Sequence, residues 1–288
     1  MKNRVLFLVT LVLTFLLSSC SKPEALVLKV MTFNVRYDNP EDGTNNWQLR
    51  KEAAFKMIKE QNCDLIGTQE VLANQLADFN AVLTEYDYVG VGREDGVDKG
   101  EYSAIFFKKN RFNVLDKGNF MLSETPEVFG SKGWDGACER IASWARLQDK
   151  TTLKEVFFIN THLDHIGIEA RREGVNLLQN RAFELAKGAP IILTGDFNAD
   201  PESDVIQNVI DPKKEHYLID TRHIAHEISG TPWTFHDFDR LPENRREYID
   251  YIFVSPSTKA TKYEVLPMTF NNKLVSDHSP VIAEVVIE

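Results

Sequence analysis

The sequence predicts an α/β protein in which helices cover mixed β-sheets. In the first half of the chain, apolar segments of strand length alternate with segments of helical periodicity, whereas other strand-like segments follow one another directly. Several predicted strands share a further feature, an apolar body that ends in polar side chains. The 288 residues contain no low-complexity tract and no Gly/Ser linker, which favours one domain with a sizeable core.

Three segments carry apolar residues at the spacing of an amphipathic helix. The first contains Trp47, Ala54, Met57 and Ile58, and in the second the leucines and phenylalanine are four, three and four residues apart. A third, longer segment precedes an apolar strand. The predicted helices span residues 47–61, 72–83 and 169–187.

The predicted strands are short apolar runs bounded by polar or glycine-containing segments. In chain order they span residues 26–35, 64–68, 86–91, 102–108, 140–147, 156–163, 190–194, 248–254, 263–267 and 280–287.

The N-terminus resembles the signal of a bacterial lipoprotein. Lys2 and Arg4 precede an apolar run at residues 5–17, which is short for a membrane span and ends in Leu-Ser-Ser-Cys at 17–20. The resemblance implies cleavage after residue 19 and lipidation of Cys20, with residues 20–26 as a tether to a domain at 27–288. A plain signal peptide and an uncleaved anchor are the alternatives. We therefore expect an exported protein, anchored through Cys20 to the membrane of the cell envelope, with its membrane face left open.

The net charge of the chain limits the classes of molecule that it is expected to bind. The formal net charge is −10, so the chain lacks the broad positive field that drives non-specific binding to nucleic acid. An acidic protein is compatible with a small substrate or with one bridged by a metal.

The cysteine content gives no sign of a disulfide framework or a zinc site. Beyond Cys20 only Cys63 and Cys138 remain, and two thiols do not form a disulfide framework. No Cys/His spacing indicates a structural zinc site.

A set of carboxylate, amide and imidazole side chains follows the predicted strands. Each of these residues alone is weak evidence for a catalytic site, because an Asp after a strand is usually a turn residue or a helix cap. Together, carboxylate and amide oxygens suit a hard divalent cation such as Mg²⁺ or Mn²⁺, and histidines suit proton transfer or a developing phosphoryl charge. The set comprises Asn34, Glu70, His162, Asp196, Asn198, Asp250, Asp277 and His278.

Six short blocks carry these residues and resemble, in order, the motifs of the endonuclease/exonuclease/phosphatase superfamily. The resemblance covers roughly residues 27 to 287 and implies a deoxyribonuclease-I-like catalytic domain, an α/β four-layer sandwich of two mixed β-sheets flanked by helices. The blocks are Met-Thr-Phe-Asn-Val (31–35), Gly-Thr-Gln-Glu (67–70), Asn-Thr-His-Leu-Asp (160–164), Gly-Asp-Phe-Asn-Ala (195–199), Ile-Asp-Tyr-Ile-Phe (249–253) and Ser-Asp-His-Ser-Pro (276–280).

The resemblance implies a metal shell of Glu70, as the principal ligand, with Asn34 and Asp277. Some nucleases of the family carry a metal-binding acid two residues after the Asn, where this chain has Arg36. Asp38 is a weak substitute for that acid. The cofactor is expected to be Mg²⁺ or Mn²⁺, and the number of ions, one or two, is left open.

The same resemblance implies the catalytic roles. Asp196 orients and deprotonates the attacking water, and Asn198 holds Asp196 or the phosphate. His278, supported by Asp250, contacts the scissile phosphate opposite the metal, and His162 donates to a phosphate oxygen.

Three further residues are candidates for substrate binding, each with a structural alternative. Arg140 lies where family members place a phosphate-contacting Arg, and the alternative is a salt bridge on a strand surface. Tyr102 could support Glu70 or the phosphate, and the alternative is core packing. Trp233, like Trp134 and Phe235, lies in a loop that could wall the substrate pocket.

The sequence favours a metal-dependent phosphoric ester hydrolase, expected to be monomeric, that acts on a small organic phosphate. A secreted nuclease acting on DNA or RNA is the alternative, and it would need a basic track. Two short basic clusters, Lys108–Lys109–Arg111 and Arg245–Arg246, are more simply interpreted as solvated strand ends or loops in an acidic chain. A non-catalytic binding lipoprotein is the third hypothesis, and the intact residue set disfavours it.

Overall fold

The computed structural model describes residues 24–288. The predicted signal peptide, Cys20 and most of the predicted tether lie outside the described residues. Within residues 24–288, no helix is both long enough and apolar enough to span a lipid bilayer.

The strands of this part of the chain are numbered β1 to β15 in chain order. They are β1 Leu26–Asn34, β2 Leu65–Gln69, β3 Tyr86–Val89, β4 Ile105–Lys108, β5 Phe112–Met121, β6 Ile141–Asp149, β7 Glu155–His162, β8 Ile191–Asp196, β9 Ile219–Asp220, β10 Glu227–Ser229, β11 Asp250–Val254, β12 Thr258–Val265, β13 Thr269–Phe270, β14 Lys273–Leu274 and β15 Val281–Ile287.

The helices are numbered α1 to α5 in the same way. They are α1 Trp47–Gln61, α2 Ala73–Val82, α3 Ile168–Ala186, α4 Asp204–Ile210 and α5 Thr221–Ile224, and short 3-10 segments lie at Pro40–Asn45 and Glu243–Arg245.

Two large mixed sheets form the centre of the molecule. The first has the strand order β10-β12-β15-β1-β2-β4-β3, with β1 parallel to β2 and β10 parallel to β12. The second has the order β5-β6-β7-β8-β11-β9, with only β7 and β8 parallel. Strands β13 and β14 form a separate ribbon.

Alternation along β1 shows how the layers are built. Leu28 and Val30 belong to the apolar cluster that contains the second sheet and α3, whereas Met31 and Phe33 belong to the cluster that contains α1 and α2. Successive side chains of a strand point to opposite faces, so a strand that is buried on both faces is apolar at nearly every position. The resulting order is helices, sheet, sheet, helices, which confirms the predicted α/β four-layer sandwich.

The predicted strands and helices exist, with shifted ends and some omissions. Strand β4 begins at Ile105, because Tyr102 makes only an isolated bridge with Val71. Strand β12 begins at Thr258, earlier than predicted. Strand β5, helix α4 and the short elements between residues 219 and 229 were not predicted.

The topology brings the polar strand ends to one edge of both sheets. Parallel strands β1 and β2 end there, as do parallel strands β7 and β8, while antiparallel β11 and β15 begin there. Parallel neighbours place their carboxyl ends at the same edge, and an antiparallel neighbour places its start there.

Candidate active site

Strand register places the acids and imidazoles opposite one another. Asn34 pairs with Gln69, so Glu70 follows directly beside it at the end of β2. In the second sheet Asp196 pairs with His162 on one side and with Asp250 on the other.

The side chain of Asn34 connects the acids of the two sheets. Its amide nitrogen donates to Glu70 Oε1 at 3.0 Å and to Asp196 Oδ2 at 2.9 Å, and its amide oxygen accepts the backbone N–H of Arg36 at 2.9 Å. The partners fix the orientation of the amide, because both carboxylates need a donor and the N–H needs an acceptor. Asn34 therefore acts here as a fully buried clamp on two carboxylates, with its oxygen already engaged.

Asp196 is a buried carboxylate with donors on both oxygens. Besides Asn34, the backbone N–H of Asn198 donates to its Oδ1 at 2.9 Å. The imidazole Nε2 atoms of His162 and His278 lie 3.6 and 3.8 Å from Oδ2. Burial, reinforced by the charge of Asp250, raises the pKa of Asp196 to about 7. A carboxyl group with a pKa near neutrality is suited to accept a proton from water.

His278 is a buried imidazole held by Asp250. Its Nδ1 lies 2.9 Å from Asp250 Oδ2, which leaves Nε2 directed toward Asp196, and the ring of Phe235 packs against it at 4.9 Å. Burial alone would lower the pKa of His278, but the charges of Asp250, Asp196 and Asp277 raise it to about 10. The residue is therefore an imidazolium at neutral pH.

His162 differs from His278 in its charge. Burial and the nearby positive charges of Arg140 and Arg93 lower its pKa well below the ordinary value, so the ring is neutral. Its Nε2 lies 3.0 Å from Asn198 Nδ2, which also donates to the carbonyl of Leu163. The neutral ring accepts the bond from Asn198 at Nε2 and carries its proton on Nδ1, which has no hydrogen-bond partner among the described residues.

The predicted metal ligands fit a hard cation in their chemistry. The carboxylates of Glu70 and Asp277 line one cavity, and each oxygen that accepts a local hydrogen bond retains a further lone pair. Asp196, Asp250 and His278 also place donor atoms within 4.8 Å of one another, a group that could hold an ion. In that group, His278 Nδ1 and Asp250 Oδ2 are already hydrogen-bonded to each other. Glu70 and Asp277 are therefore the better candidates for metal ligands.

A second cluster of possible ligands, Cys138, Asp164 and His165, is less suited to a cation. Arg140 lies against it, with Nη2 at 3.0 Å from His165 Nδ1 and Nε at 3.6 Å from Asp164 Oδ2. Asp164 is also engaged by four backbone N–H groups, which hold its pKa well below the usual range against the opposing effect of burial. These donors belong to residues 137, 138, 166 and 167.

The strand ends open into a cavity of about 480 Å³. One wall is formed by Arg36, Glu70 and Asp277, and the floor by Asp196, Asn198 and the two histidines. The rest of the lining contains a mostly basic group, Arg93, Glu101, Cys138, Arg140 and His165. It also contains a group of apolar and acidic residues, Phe235, Asp237, Glu247 and Ile249.

Arg140 lines this cavity with a guanidinium whose donors are only partly satisfied. Only 5% of the residue is exposed, and neither Nε nor Nη1 has a hydrogen-bond partner among the described residues. A buried guanidinium with unsatisfied N–H groups is suited to an anionic ligand such as phosphate.

The structure does not place Tyr102 or Trp233 on the cavity wall. The hydroxyl of Tyr102 donates to the carbonyl of Val97 at 3.1 Å and its ring packs in the core, so core packing replaces the predicted substrate contact. Trp233 is buried, with the guanidinium of Arg246 stacked 4.4 Å from its ring. Of the loop aromatics considered, only Phe235 lines the cavity.

Sequence reasoning missed Arg50, a buried residue beneath the site. Its guanidinium donates to the carbonyls of Val35, Arg36 and Val275, and so ties the segment after Asn34 to the segment before Asp277. Arg50 lies three residues after Trp47 on the apolar face of α1, and a charge on that face was the available signal. Arg93, Glu101 and His165 reach the cavity from loops and gave no comparable signal.

Comparisons with known proteins agree with this geometry. The model of the Endonuclease/Exonuclease/phosphatase family matches residues 31–278. A solved endonuclease/exonuclease/phosphatase from Bacteroides vulgatus is 42% identical, with a TM-score of 0.88, and the match covers 91% of this chain and all of that one.

Two further relatives cover most of the chain. The structure of a mannosyl-6-phosphatase from Bacteroides thetaiotaomicron is 38% identical with a TM-score of 0.82, over 90% of this chain and all of that one. An uncharacterized protein of Acanthamoeba polyphaga mimivirus is 26% identical over 269 residues, which are 88% of this chain and 98% of the viral protein. The chain therefore belongs to the endonuclease/exonuclease/phosphatase family, whose members are hydrolases of phosphate esters.

Proposed function

We propose that this protein hydrolyses the phosphate monoester of a small phosphorylated sugar, with a divalent cation held principally by Glu70 and with Asp277 nearby. One observation carries the proposal: the carboxylate of Asp196, whose pKa is raised to about 7, lies on the floor of the cavity within 3.8 Å of the imidazolium of His278. A base and a positive charge are thereby placed together where a phosphate and a water can meet.

The proposed reaction is a single displacement at phosphorus. Asp196 takes a proton from water while the water oxygen forms a bond to phosphorus. The bond between phosphorus and the sugar oxygen breaks on the opposite side, and the sugar oxygen takes up a proton from solvent water as it leaves. The products are inorganic phosphate and the free sugar.

The surrounding residues have distinct tasks in this reaction. His278 stabilises the negative charge that develops on the phosphate oxygens, and Asp250 keeps it protonated and oriented. Asn34 and Asn198 hold Asp196 by 2.9 Å hydrogen bonds, and the guanidinium of Arg140, which lines the cavity, binds a phosphate oxygen. When bound, Mg²⁺ or Mn²⁺ supplies Lewis-acid neutralisation of the phosphate charge.

The size and lining of the cavity support a small substrate. A volume of about 480 Å³ with charged groups on two walls suits a compact polar molecule, and the mannosyl-6-phosphatase relative at 38% identity supports a hexose 6-phosphate.

The surface disfavours a nuclease, because three of the five cations in the two basic clusters pair with nearby acids. Lys108 and Arg111 both pair with Asp64, at 3.1 and 2.7 Å, and Arg246 pairs with Asp239. These two clusters therefore offer a polyanion less positive charge than the sequence suggests.

Chelation tests the metal requirement. We expect excess EDTA to lower the rate of p-nitrophenyl phosphate hydrolysis by about 100-fold or more, because the phosphate charge is no longer neutralised, and added Mg²⁺ or Mn²⁺ to restore it. EDTA saturated with Mg²⁺ is the control, and near-UV circular dichroism checks that the chain stays folded. A full rate in metal-free chelator would contradict the proposed cofactor.

A substrate panel tests the substrate class. We expect kcat/KM for mannose 6-phosphate to exceed that for single-stranded or double-stranded DNA by at least about tenfold, because only the compact ester fits the cavity. The assays use the same protein with Mg²⁺ at two salt concentrations. Faster cleavage of DNA, falling steeply with salt, would favour the nuclease instead.

A further inference from the structure

Arg36 lies at the centre of the acidic wall of the cavity. Its Nε is 3.7 Å from Asp277 Oδ2 and its Nη1 is 4.0 Å from Glu70 Oε2, so the guanidinium contacts both candidate metal ligands. A third carboxylate, Asp42, binds it with two nearly parallel hydrogen bonds of 3.0 and 3.1 Å.

Both ends of Arg36 are held in place. The buried carboxylate of Asp42 orients the guanidinium, and the backbone carbonyl of Arg36 accepts bonds from Arg50 at 2.6 Å and Gln75 at 2.9 Å. Its backbone has φ +58°, a left-handed conformation that non-glycine residues seldom adopt. This conformation and these bonds direct the side chain across the ends of β1 and β2.

The guanidinium has the charge and the position of a cation ligated by three acids. Arg is permanently protonated, and its planar fork matches carboxylate geometry. An ion placed between Glu70 and Asp277 would displace Arg36 or be repelled by it at close range. An ion that binds Glu70 from the side of Asn34 and Asp196 would not meet this obstacle.

We propose that Arg36, anchored by Asp42, takes the position of a second cation and restricts the site to one divalent ion per chain. The inference rests on the proposed metal-dependent function and concerns this chain's own residue at a place where an acid would build a second ion site. In this arrangement the charge of Asp277 is balanced by Arg36, and Glu70 is the principal ligand of the single ion.

The test is the stoichiometry of Mn²⁺ binding to the whole protein, measured without substrate from the electron paramagnetic resonance signal of free Mn²⁺. We expect one bound ion in the wild type. Arg36→Asp removes the guanidinium and adds a carboxylate at a left-handed position that Asp tolerates, so we expect two bound ions.

Two matched variants separate charge removal from ligand addition. Arg36→Asn removes the charge and the two hydrogen bonds to Asp42 without adding a carboxylate, and we expect one ion bound about tenfold more tightly, the effect of about one pKa unit of interaction with the neighbouring acids. Arg172→Asn makes the same change on the exposed surface of α3, and we expect wild-type binding. Thermal denaturation verifies that each variant is folded.

The outcomes distinguish this inference from the proposed function. Two ions of similar affinity in the wild type, or one ion of unchanged affinity in a folded Arg36→Asp protein, would refute the role of Arg36 and leave the phosphatase proposal intact. No bound Mn²⁺ in the wild type would refute both the metal requirement and this inference. A count of two ions in the wild type refutes the inference without any variant, and Arg36→Asn tests the role of the guanidinium if Arg36→Asp does not fold.

Discussion

Asp196→Asn is expected to lower kcat about 100- to 10,000-fold while the chain stays folded, the range for removal of a general base. The amide has nearly the same shape and keeps an oxygen for one of the two donors that hold Asp196, but it cannot accept the proton of the attacking water. The effect should appear in kcat more than in KM, since the change affects the transition state rather than binding. Steady-state kinetics with a sugar phosphate or p-nitrophenyl phosphate measure it.

The same substitution should not reduce stability. A carboxyl group with a folded pKa near 7 and an unfolded pKa of about 3.9 binds more protons in the native state, so native stability falls as pH rises between these values. The amide of the Asn variant does not ionise, so its native state does not lose stability in this way as pH rises. In the absence of metal we therefore expect the melting temperature of Asp196→Asn to equal or exceed that of the wild type at pH 8, as is common for residues placed for function rather than stability.

His278→Ala should give a loss of similar size, and the double variant should be little worse than either single variant. The two groups act on one displacement, so their effects on the rate should not add. Asp87→Asn and His216→Ala, which change residues outside the cavity, serve as controls and should retain wild-type rates. A folded Asp196→Asn protein with near-normal kcat would mean that another group activates the water.

The part of this site that lies at strand ends was predictable. Asn34, Glu70, His162, Asp196, Asp250 and His278 each follow or precede an apolar run, and the parallel and antiparallel pairings carry them to one edge. The walls were less predictable. Arg93, Glu101 and His165 reach the cavity through loops, and loop conformation depends on contacts such as the N–H bonds to Asp164 that no periodicity reveals.

Arg36 illustrates a different limit of sequence reasoning. Its position after Asn34 identified a departure from the nuclease pattern, but the sequence could not show where a long side chain would go. The left-handed backbone and the bidentate bond to Asp42, six residues away, direct it onto Glu70 and Asp277.

Strand β5 was not predicted because its residues lack a clear pattern. Its register against β6 is broken near Val114, and most of its residues are exposed or partly exposed. Neither alternation nor an apolar run marks such a strand.

A buried polar layer directly below the site joins the two sheets. Asn160 of the second sheet accepts a bond from Gln69 Nε2 at 2.7 Å and donates to the carbonyl of Thr68 at 2.8 Å, both in the first sheet. Thr194 donates to the same Asn160 oxygen at 3.0 Å. Each of these residues precedes a site residue by one or two positions, so the layer sets the alignment of Glu70, His162 and Asp196.

Gly67 is the position at which this layer is most sensitive. A Cβ added there would lie 2.1 Å from Thr194 Oγ1 and 2.5 Å from Asn160 Oδ1, distances that no side-chain rotation within a packed sheet interface can relieve cheaply. We expect Gly67→Ala to lower the free energy of unfolding by about 2–5 kcal/mol, from overpacking together with at least one broken buried hydrogen bond. Urea denaturation measures the loss, and activity should fall with it because the two sheets carry different halves of the site.

Gly174→Ala is the matched control for this change. Gly174 lies inside α3, where an added Cβ would make only ordinary contacts at 3.8 Å, so the same substitution should leave stability unchanged or raise it by up to about 1 kcal/mol. Removing the obstructing hydroxyl in a Gly67→Ala, Thr194→Ala double variant should recover part of the loss, since the nearest atom is then gone. Equal unfolding midpoints for Gly67→Ala and wild type would mean that the sheets can separate at this layer without cost, and the rigid alignment of Asp196 with Glu70 would need another explanation.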